Sequence, residues 1–282
     1  MTATVAGAVR VLEELYPPAL KEDWDRIGLV CGDPKDPVAK IAFAVDPTLK
    51  AVGQAVEWGA DLLVVHHPLL LRPVDSVAAT TFKGAIVHRL IRANCALYTA
   101  HTNADAAAGG VSDALAGAIR LRRTRPLAPS QADPAVGIGR VGRLEAPTPL
   151  GELGRRLAQA LPANRHGVRI AGPLDALVET AAVVAGAGDS LFGAVRAAGV
   201  DAYVTADLRH HPALEAREAA EFAGRGRPFL LDVSHAASEW GWLAGAAREL
   251  EKRLAAGGDR VVTWVNPEVA DPWMARVERT DA

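Results

Sequence analysis

The sequence predicts an α/β protein made of two similar α/β domains that face each other across a cleft. Three observations support this prediction. Apolar runs typical of buried strands alternate with segments of helical spacing, the second half of the chain repeats the pattern of the first, and histidines and carboxylates gather where the predicted strands end. Alternating strands and helices favour parallel strand pairing with right-handed crossovers.

The first half contains the clearer pattern. Apolar residues at helical spacing predict a helix over residues 4–15, which stops at Pro17-Pro18. The run Leu62–Val65 has no polar alternation and indicates a strand buried on both faces. In order, the pattern predicts a strand at 40–46, a helix at 48–60, a strand at 61–67, a helix at 82–93, a strand at 95–101 and a helix at 111–119.

The second half repeats this order. AVEWGADLLVVHH (55–67) aligns without gaps with VRAAGVDAYVTAD (195–207), which places Asp61 on Asp201. Likewise LYTAHTNAD resembles LLDVSHAASE, and both end in His-x-x-x-acid. The Pro-rich segment 125–137 is the best candidate for a linker. We therefore predict a first half over 1–125, and a linker with a second half over 126–282.

Composition and charge argue against several classes of protein. A formal net charge of −2 and a pI near 6.5 give no bulk attraction to nucleic acid or to an acidic membrane. Cys31 and Cys95 are the only cysteines, so we expect no disulfide framework or thiolate zinc site, and a reducing cytoplasm. We also expect neither a signal peptide nor a membrane span.

Six of the eight histidines lie at or just beyond predicted strand ends: His66, His67, His101, His210, His211 and His235. His66 and His67 could form part of a metal site, an acid/base pair or a polar strand end. His235 and Glu239 are four residues apart, which places them on one face of a helix, although such spacing also occurs in surface pairs. Asp105 offers another oxygen donor, or a cap for the turn that follows it.

Together these donors predict a metal site rather than a structural cluster. The rings of His66 and His67 would leave the end of the strand in different directions. They therefore suit two ions, one for each ring, with a carboxylate bridging the ions. Mixed nitrogen and oxygen donors favour Zn, Fe, Mn, Co or Ni over Ca or Mg.

Several longer motifs occur along the chain: VVHHP, AHTNADAAAGGVSDALA, YVTADLRHHPALEA and DVSHAASEW, with DWDRIGLVCGD near the N-terminus and VADPW near the C-terminus. Together they resemble the NIF-three-like dinuclear-metal family, whose members are often called type 2 GTP cyclohydrolase I homologues. The resemblance implies two related α/β domains, a metal-binding cleft, ring-shaped homohexamers and two divalent transition-metal ions per chain. Region 125–150 is too short for the middle domain that some members insert, so we expect the compact form.

Carried over residue by residue, the resemblance implies metal ligands at His66, His67, Asp105, His235 and Glu239, with Glu239 as the bridge. It adds His101 as a further or supporting ligand. The internal repeat places Asp207 where His67 lies in the first half, so we expect Asp207 to be an acid that supports the site.

The leading functional interpretation is a metal-dependent hydrolase, with His101, His210 and His211 as candidate proton shuttles. The resemblance points to ring opening of GTP or a similar nucleotide, and a phosphoester would suit the site equally well. The sequence contains no P-loop, and its 25 arginines do not reveal which would bind a phosphate. The alternative is a metal-binding or regulatory scaffold without turnover.

Overall fold

The protein is described by a computed structural model that covers residues 3–131 and 133–277. The helices are α1 (Val5–Leu15), α2 (Leu49–Trp58), α3 (Phe82–Arg92), α4 (Thr102–Ala106), α5 (Val111–Ala118), α6 (Leu150–Ala160), α7 (Phe192–Ala198), α8 (His210–Phe222) and α9 (His235–Ala256). The strands are β1 (Ala3–Thr4), β2 (Gly28–Cys31), β3 (Pro37–Val38), β4 (Lys40–Ala44), β5 (Leu62–Val65), β6 (Ala96–Thr99), β7 (Leu121–Pro129), β8 (Gly137–Pro149), β9 (Arg169–Ala171), β10 (Leu177–Ala187), β11 (Ala202–Ala206), β12 (Phe229–Val233) and β13 (Val262–Val265).

The chain divides into two compact units. Unit 1 comprises Met1–Gly110 and Trp242–Ala270, and unit 2 comprises Val111–Gly241 and Asp271–Ala282. This division differs from a sequential one at residue 125, because β13 near the C-terminus pairs in parallel with β4 of the first sheet. Helix α9 therefore contributes its first turns to unit 2 and its remainder to unit 1.

Unit 1 contains a five-stranded sheet in the order β13-β4-β5-β6-β2. Strands β13, β4, β5 and β6 are parallel, and β2 pairs antiparallel with β6. The side chains of β5 are buried along its whole length, as the unbroken apolar run predicted. The carboxyl ends of β4, β5 and β6 therefore lie at one edge of this sheet, where open α/β sheets usually bind ligands.

Unit 2 contains a six-stranded sheet in the order β7-β8-β10-β11-β12-β9. Its centre repeats that of unit 1, with β10, β11 and β12 parallel and β9 antiparallel to β12. Helix α7 connects β10 to β11 and α8 connects β11 to β12, as α2 and α3 connect β4, β5 and β6. The prediction of two similar α/β domains is confirmed.

The repeat extends to individual hydrogen bonds. In unit 1, Asp61 Oδ2 accepts two backbone N–H groups around the start of β4, both at 2.8 Å. In unit 2, Asp201 Oδ2 accepts two backbone N–H groups near the start of β10, at 2.8 and 2.9 Å. The helix before each aspartate ends on a left-handed glycine, Gly59 with φ 80° and Gly199 with φ 64°. These positions need a residue that tolerates positive φ.

The predicted linker at 125–137 requires correction, because β7 continues to Pro129 and pairs with β8 from Gly137 onward. Pro126 and Pro129 are tolerated because β7 is an edge strand, where a missing N–H costs no ladder hydrogen bond on the open side. Among the described residues, no helix combines the length and the apolar character needed to cross a membrane.

Candidate metal centre

The histidine pair of unit 1 continues the edge of its sheet. Strand β5 ends at Val65, and the backbone N–H groups of His66 and His67 still donate to Val45 O, at 3.1 and 2.9 Å. Pro68 has no N–H to extend this pairing. His66 is fully buried and His67 is partly exposed. The two rings are thus fixed at the carboxyl end of a buried parallel strand.

A third histidine and a carboxylate of unit 1 join this pair. The ring of His101, which follows β6, lies 5.1 Å from that of His66 and 5.5 Å from that of His67, between centroids. One ring nitrogen from each of the three lies within 4.8 Å of the others, so the group could hold an ion. One turn further along α4, Asp105 Oδ1 lies 3.6 Å from His66 Nε2. The structure therefore brings together all four donors predicted in the first half.

Each histidine of this group is oriented through its Nδ1 atom. Nδ1 lies 2.9 Å from the backbone oxygen of Ala100 for His66, 2.8 Å from Asp46 Oδ1 for His67 and 2.8 Å from Asp25 Oδ1 for His101. An Nδ1–H that donates to an oxygen leaves the lone pair of the neutral ring on Nε2. This is the arrangement that metal-binding histidines usually have.

Asp25 is a residue that sequence reasoning missed. Its carboxylate is buried and accepts from His101 Nδ1, from the backbone N–H of Thr102 at 3.0 Å and from the Thr102 hydroxyl. Burial by itself would raise the pKa of Asp25, but the hydrogen bonds from His101 and Thr102 outweigh it and hold that pKa well below its usual range. The acid lies within the DWDRIGLVCGD motif, whose spacing gives no sign of a contact with residue 101.

Unit 2 supplies a second donor pair. Helix α9 begins at His235, and Glu239 lies one turn later, with His235 Nε2 3.0 Å from Glu239 Oε1. His235 Nδ1 lies 2.7 Å from Asp207 Oδ2, which repeats the Nδ1 arrangement of unit 1. The hydrogen bond from His235 lowers the pKa of Asp207 and outweighs the effect of burial, which raises it. Asp207 thus supports His235 directly.

Gly186 also borders this pair and was not anticipated. Its φ of 68° is left-handed, and a Cβ at this position would lie 2.6 Å from Glu239 Oε1 and 3.1 Å from His235 Nε2. Its N–H donates to the hydroxyl of Ser238 on α9, at 2.9 Å. The only sequence signal was a glycine inside a strand pattern, which often marks a bulge or a close approach.

His210 and His211 are placed differently from the other candidates. They occupy the first two positions of α8, both exposed, with ring centroids 5.1 Å apart. Among the described residues, no contact places His210 or His211 with the candidate metal ligands.

The donor chemistry is compatible with transition metals. Imidazole nitrogens and carboxylates are the set preferred by Zn, Fe, Mn, Co and Ni. Among the described residues, no cysteine belongs to a group of side chains that could hold an ion. The hydrogen-bonded Nδ1 atoms meet a second requirement. A histidine that binds a metal through Nε2 usually donates its Nδ1–H to an oxygen acceptor. His66, His67, His101 and Asp105 in unit 1 and His235 and Glu239 in unit 2 therefore fit such ions.

Comparison with known sequences identifies relatives along the chain. The sequence model of Duf34/NIF3 (NGG1p interacting factor 3) matches residues 3–272. A protein of Streptomyces coelicolor named "GTP cyclohydrolase 1 type 2 homolog" is 49% identical over 275 residues, covering 97% of this chain and 94% of that protein. A Mycobacterium tuberculosis protein of the same name is 37% identical over 379 aligned positions, covering 97% of each. That alignment exceeds the 282 residues of this chain, so the mycobacterial protein has additional segments and this chain is the compact form.

Solved structures show the same fold. A Bacillus cereus protein related to NIF3 superposes with a TM-score of 0.88 at 23% identity, covering 97% of this chain and 99% of that one. Reduced HcgD from Methanocaldococcus jannaschii superposes with a TM-score of 0.72 at 26% identity, covering 93% of this chain and 98% of that one.

Proposed function

The chain belongs to the Duf34/NIF3 family, and we propose that it binds two divalent transition-metal ions and hydrolyses a nucleotide-like substrate. The proposed ligands are His66, His67, Asp105, His235 and Glu239, with Glu239 as the bridging carboxylate. His101 is proposed as a further or supporting ligand.

One observation carries the proposal. In four histidines, His66, His67, His101 and His235, Nδ1 faces an oxygen at 2.7–2.9 Å, and three of these oxygens are carboxylate oxygens. A histidine that only fills a core needs one hydrogen-bond partner of any kind. Here every Nδ1 faces an oxygen, which leaves Nε2 on the far side of each ring, and this arrangement suits histidines that bind cations. The names of the relatives add support for the nucleotide class.

When bound, a pair of such cations supplies Lewis acidity and lowers the pKa of water at neutral pH. The protein's own groups would do the rest. Asp46, Asp25 and Asp207 hold the rings of His67, His101 and His235 in one orientation. Glu239 is 3% exposed, so its carboxylate would hold the ions at a position shielded from solvent.

The proposed reaction is hydrolytic ring opening of a guanine nucleotide. One water adds to C8 of the imidazole ring, the C8–N9 bond breaks, and a proton delivered to N9 leaves a formamide. His101, His210 and His211 are the proposed proton carriers, since a histidine near neutral pH both accepts and donates. The reaction consumes one water and needs no oxidant or reductant.

The test is turnover by protein loaded with Zn, Mn, Fe or Co, compared with chelator-treated protein and with the His101→Ala variant. Incubation with GTP should yield a product heavier by one water, in a metal-dependent manner, and the variant should be slower. A panel of phosphoesters belongs in the same assay. Stoichiometric metal without turnover of GTP or of any phosphoester would contradict the hydrolase and favour the metal-binding scaffold.

We further propose that the chain assembles as a homohexamer and resides in the cytoplasm. The family resemblance supports the homohexamer. The two free cysteines, Cys31 and Cys95, are compatible with the reducing cytoplasm. Light scattering coupled to size-exclusion chromatography gives the mass of the assembly, and a dimer or monomer would contradict the hexamer.

A further inference from the structure

Unit 2 contains a cavity of about 650 Å³ away from the candidate metal ligands. It is bordered by residues that precede β11 and β12, among them Asp201 and Pro228, whereas Asp207 and His235 follow the same strands. Each strand has five residues, so the two edges are separated by roughly 16 Å. The cavity is therefore a site of its own, at the opposite end of the strands.

Three arginines border this cavity, Arg196, Arg225 and Arg227, and Asp201 is the one acid among the lining residues. Arg227 bonds to Asp201 and donates to Leu177 O at 3.1 Å, which fixes its guanidinium. Within residues 3–131 and 133–277, the side chains of Arg196 and Arg225 make no hydrogen bond or ion pair with protein groups. The lining thus has a net charge of +2, and two of its guanidinium groups have free donors.

The remaining wall is apolar and built from small side chains. Ala216, Ala219 and Ala220 on α8 and Ala223 at its C-cap recur at helical spacing, so one face of this helix borders the cavity. Ala216 and Ala220 are buried, and across from them Val195 and Val200 belong to the buried core of unit 2. These short side chains leave room for a compact apolar group next to the arginines.

We infer that this cavity binds a small phosphate monoester. A phosphate dianion matches the net charge of the lining, and guanidinium groups present paired N–H donors that fit phosphate oxygens. The alanine face then holds the apolar part of the molecule. The volume lies within the range of ordinary small-molecule sites. This inference is independent of the proposed metal chemistry, because none of its residues is a candidate metal ligand.

The test is isothermal titration with phenyl phosphate, inorganic phosphate and benzoate at constant ionic strength, using the full chain as purified. Phenyl phosphate should bind with one site per chain, more tightly than inorganic phosphate, which lacks the apolar ring, and more tightly than benzoate, which carries a single charge. The Arg196→Gln/Arg225→Gln double variant should weaken phenyl phosphate binding by about tenfold or more. The Arg165→Gln variant is the matched control, since Arg165 is also exposed in unit 2 but does not border the cavity.

Both side chains are exposed, and among the described residues neither makes a hydrogen bond or ion pair, so the double variant should unfold at the wild-type temperature without ligand. Binding that persists unchanged in the double variant would place the phosphate elsewhere, the metal centre included, and would overturn the inference. Equal affinity for benzoate, or the absence of saturable binding, would overturn it as well.

Discussion

His235 Nε2 lies 3.0 Å from Glu239 Oε1 across the first turn of α9, while the other ring nitrogen of His235 lies 2.7 Å from Asp207 Oδ2. The helix thus sets the spacing between the two donors, and Asp207 sets the rotation of the ring. Two separate elements fix this pair, and each can be changed alone.

Removal of the Asp207 side chain should weaken metal binding without removing a ligand. Asp207 has φ 53°, so Asp207→Gly deletes the carboxylate at a backbone position that glycine adopts freely. Loss of the acceptor on a ligand histidine typically costs about 10–100-fold in metal affinity. Competition titration with a chromophoric chelator measures this loss.

Asp207→Asn keeps an acceptor for the Nδ1–H and should recover most of the affinity, which a purely structural role would not predict. Asp175→Gly is the control, because Asp175 is an exposed acid of the same unit. If Asp207→Gly bound metal with wild-type affinity, the ring of His235 would need no acceptor at Nδ1.

Gly186→Ala should disturb the donor pair by a different route. The new methyl group would lie 2.6 Å from Glu239 Oε1, and an L-residue at φ 68° costs roughly 1–2 kcal/mol besides. We expect lower thermal stability and reduced metal content, measured by melting and by elemental analysis.

Gly193→Ala is the matched control, since a Cβ there meets nothing within 4 Å and Gly193 lies in helix α7. It should stabilise the protein by about 0.5–1 kcal/mol. Unchanged metal content in Gly186→Ala would show that Glu239 and His235 move away without losing their ion.

Asp201 should make stability depend on pH. Burial favours a raised pKa, but backbone N–H groups of Glu179 and Thr180, with Arg227, outweigh it and lower the pKa of Asp201. A carboxyl whose pKa is lower in the folded state stabilises the protein above its unfolded pKa of about 3.9, and this contribution is lost as pH falls toward the folded value.

Asp201→Asn should therefore be less stable than wild type by about 1–3 kcal/mol at neutral pH, and the difference should shrink as the medium becomes more acidic than about pH 4. Urea unfolding of both proteins across this range measures the difference. A difference that stays constant or grows on acidification would contradict the assigned charge on Asp201.

Much of the fold followed from local pattern. The strand predicted at 40–46 is β4 and the helix predicted at 82–93 is α3, each within two residues, because apolar periodicity and helix caps act over short distances. The repeat was visible because Asp61 and Asp201 perform the same hydrogen bonding in both units.

Other features depended on contacts distant in sequence. The prolines of β7 suggested a linker, because the sequence does not show that this strand lies at the edge of its sheet. The pairing of β13 with β4 joins residues about 220 positions apart. Asp25 and Gly186 belong to the candidate site only through tertiary contacts with His101 and Glu239. Periodicity contains no information about such contacts.

The central claim is that five residues hold a pair of ions, and metal content tests it most directly. Elemental analysis of the protein purified without a His-tag or added metal should give about two transition-metal ions per chain, and His67→Ala and Glu239→Ala should each lose at least one. Full occupancy in both variants would contradict the ligand assignment. No stoichiometric metal in the wild type, even after reconstitution with Zn, Mn, Fe and Co, would contradict the metal centre itself.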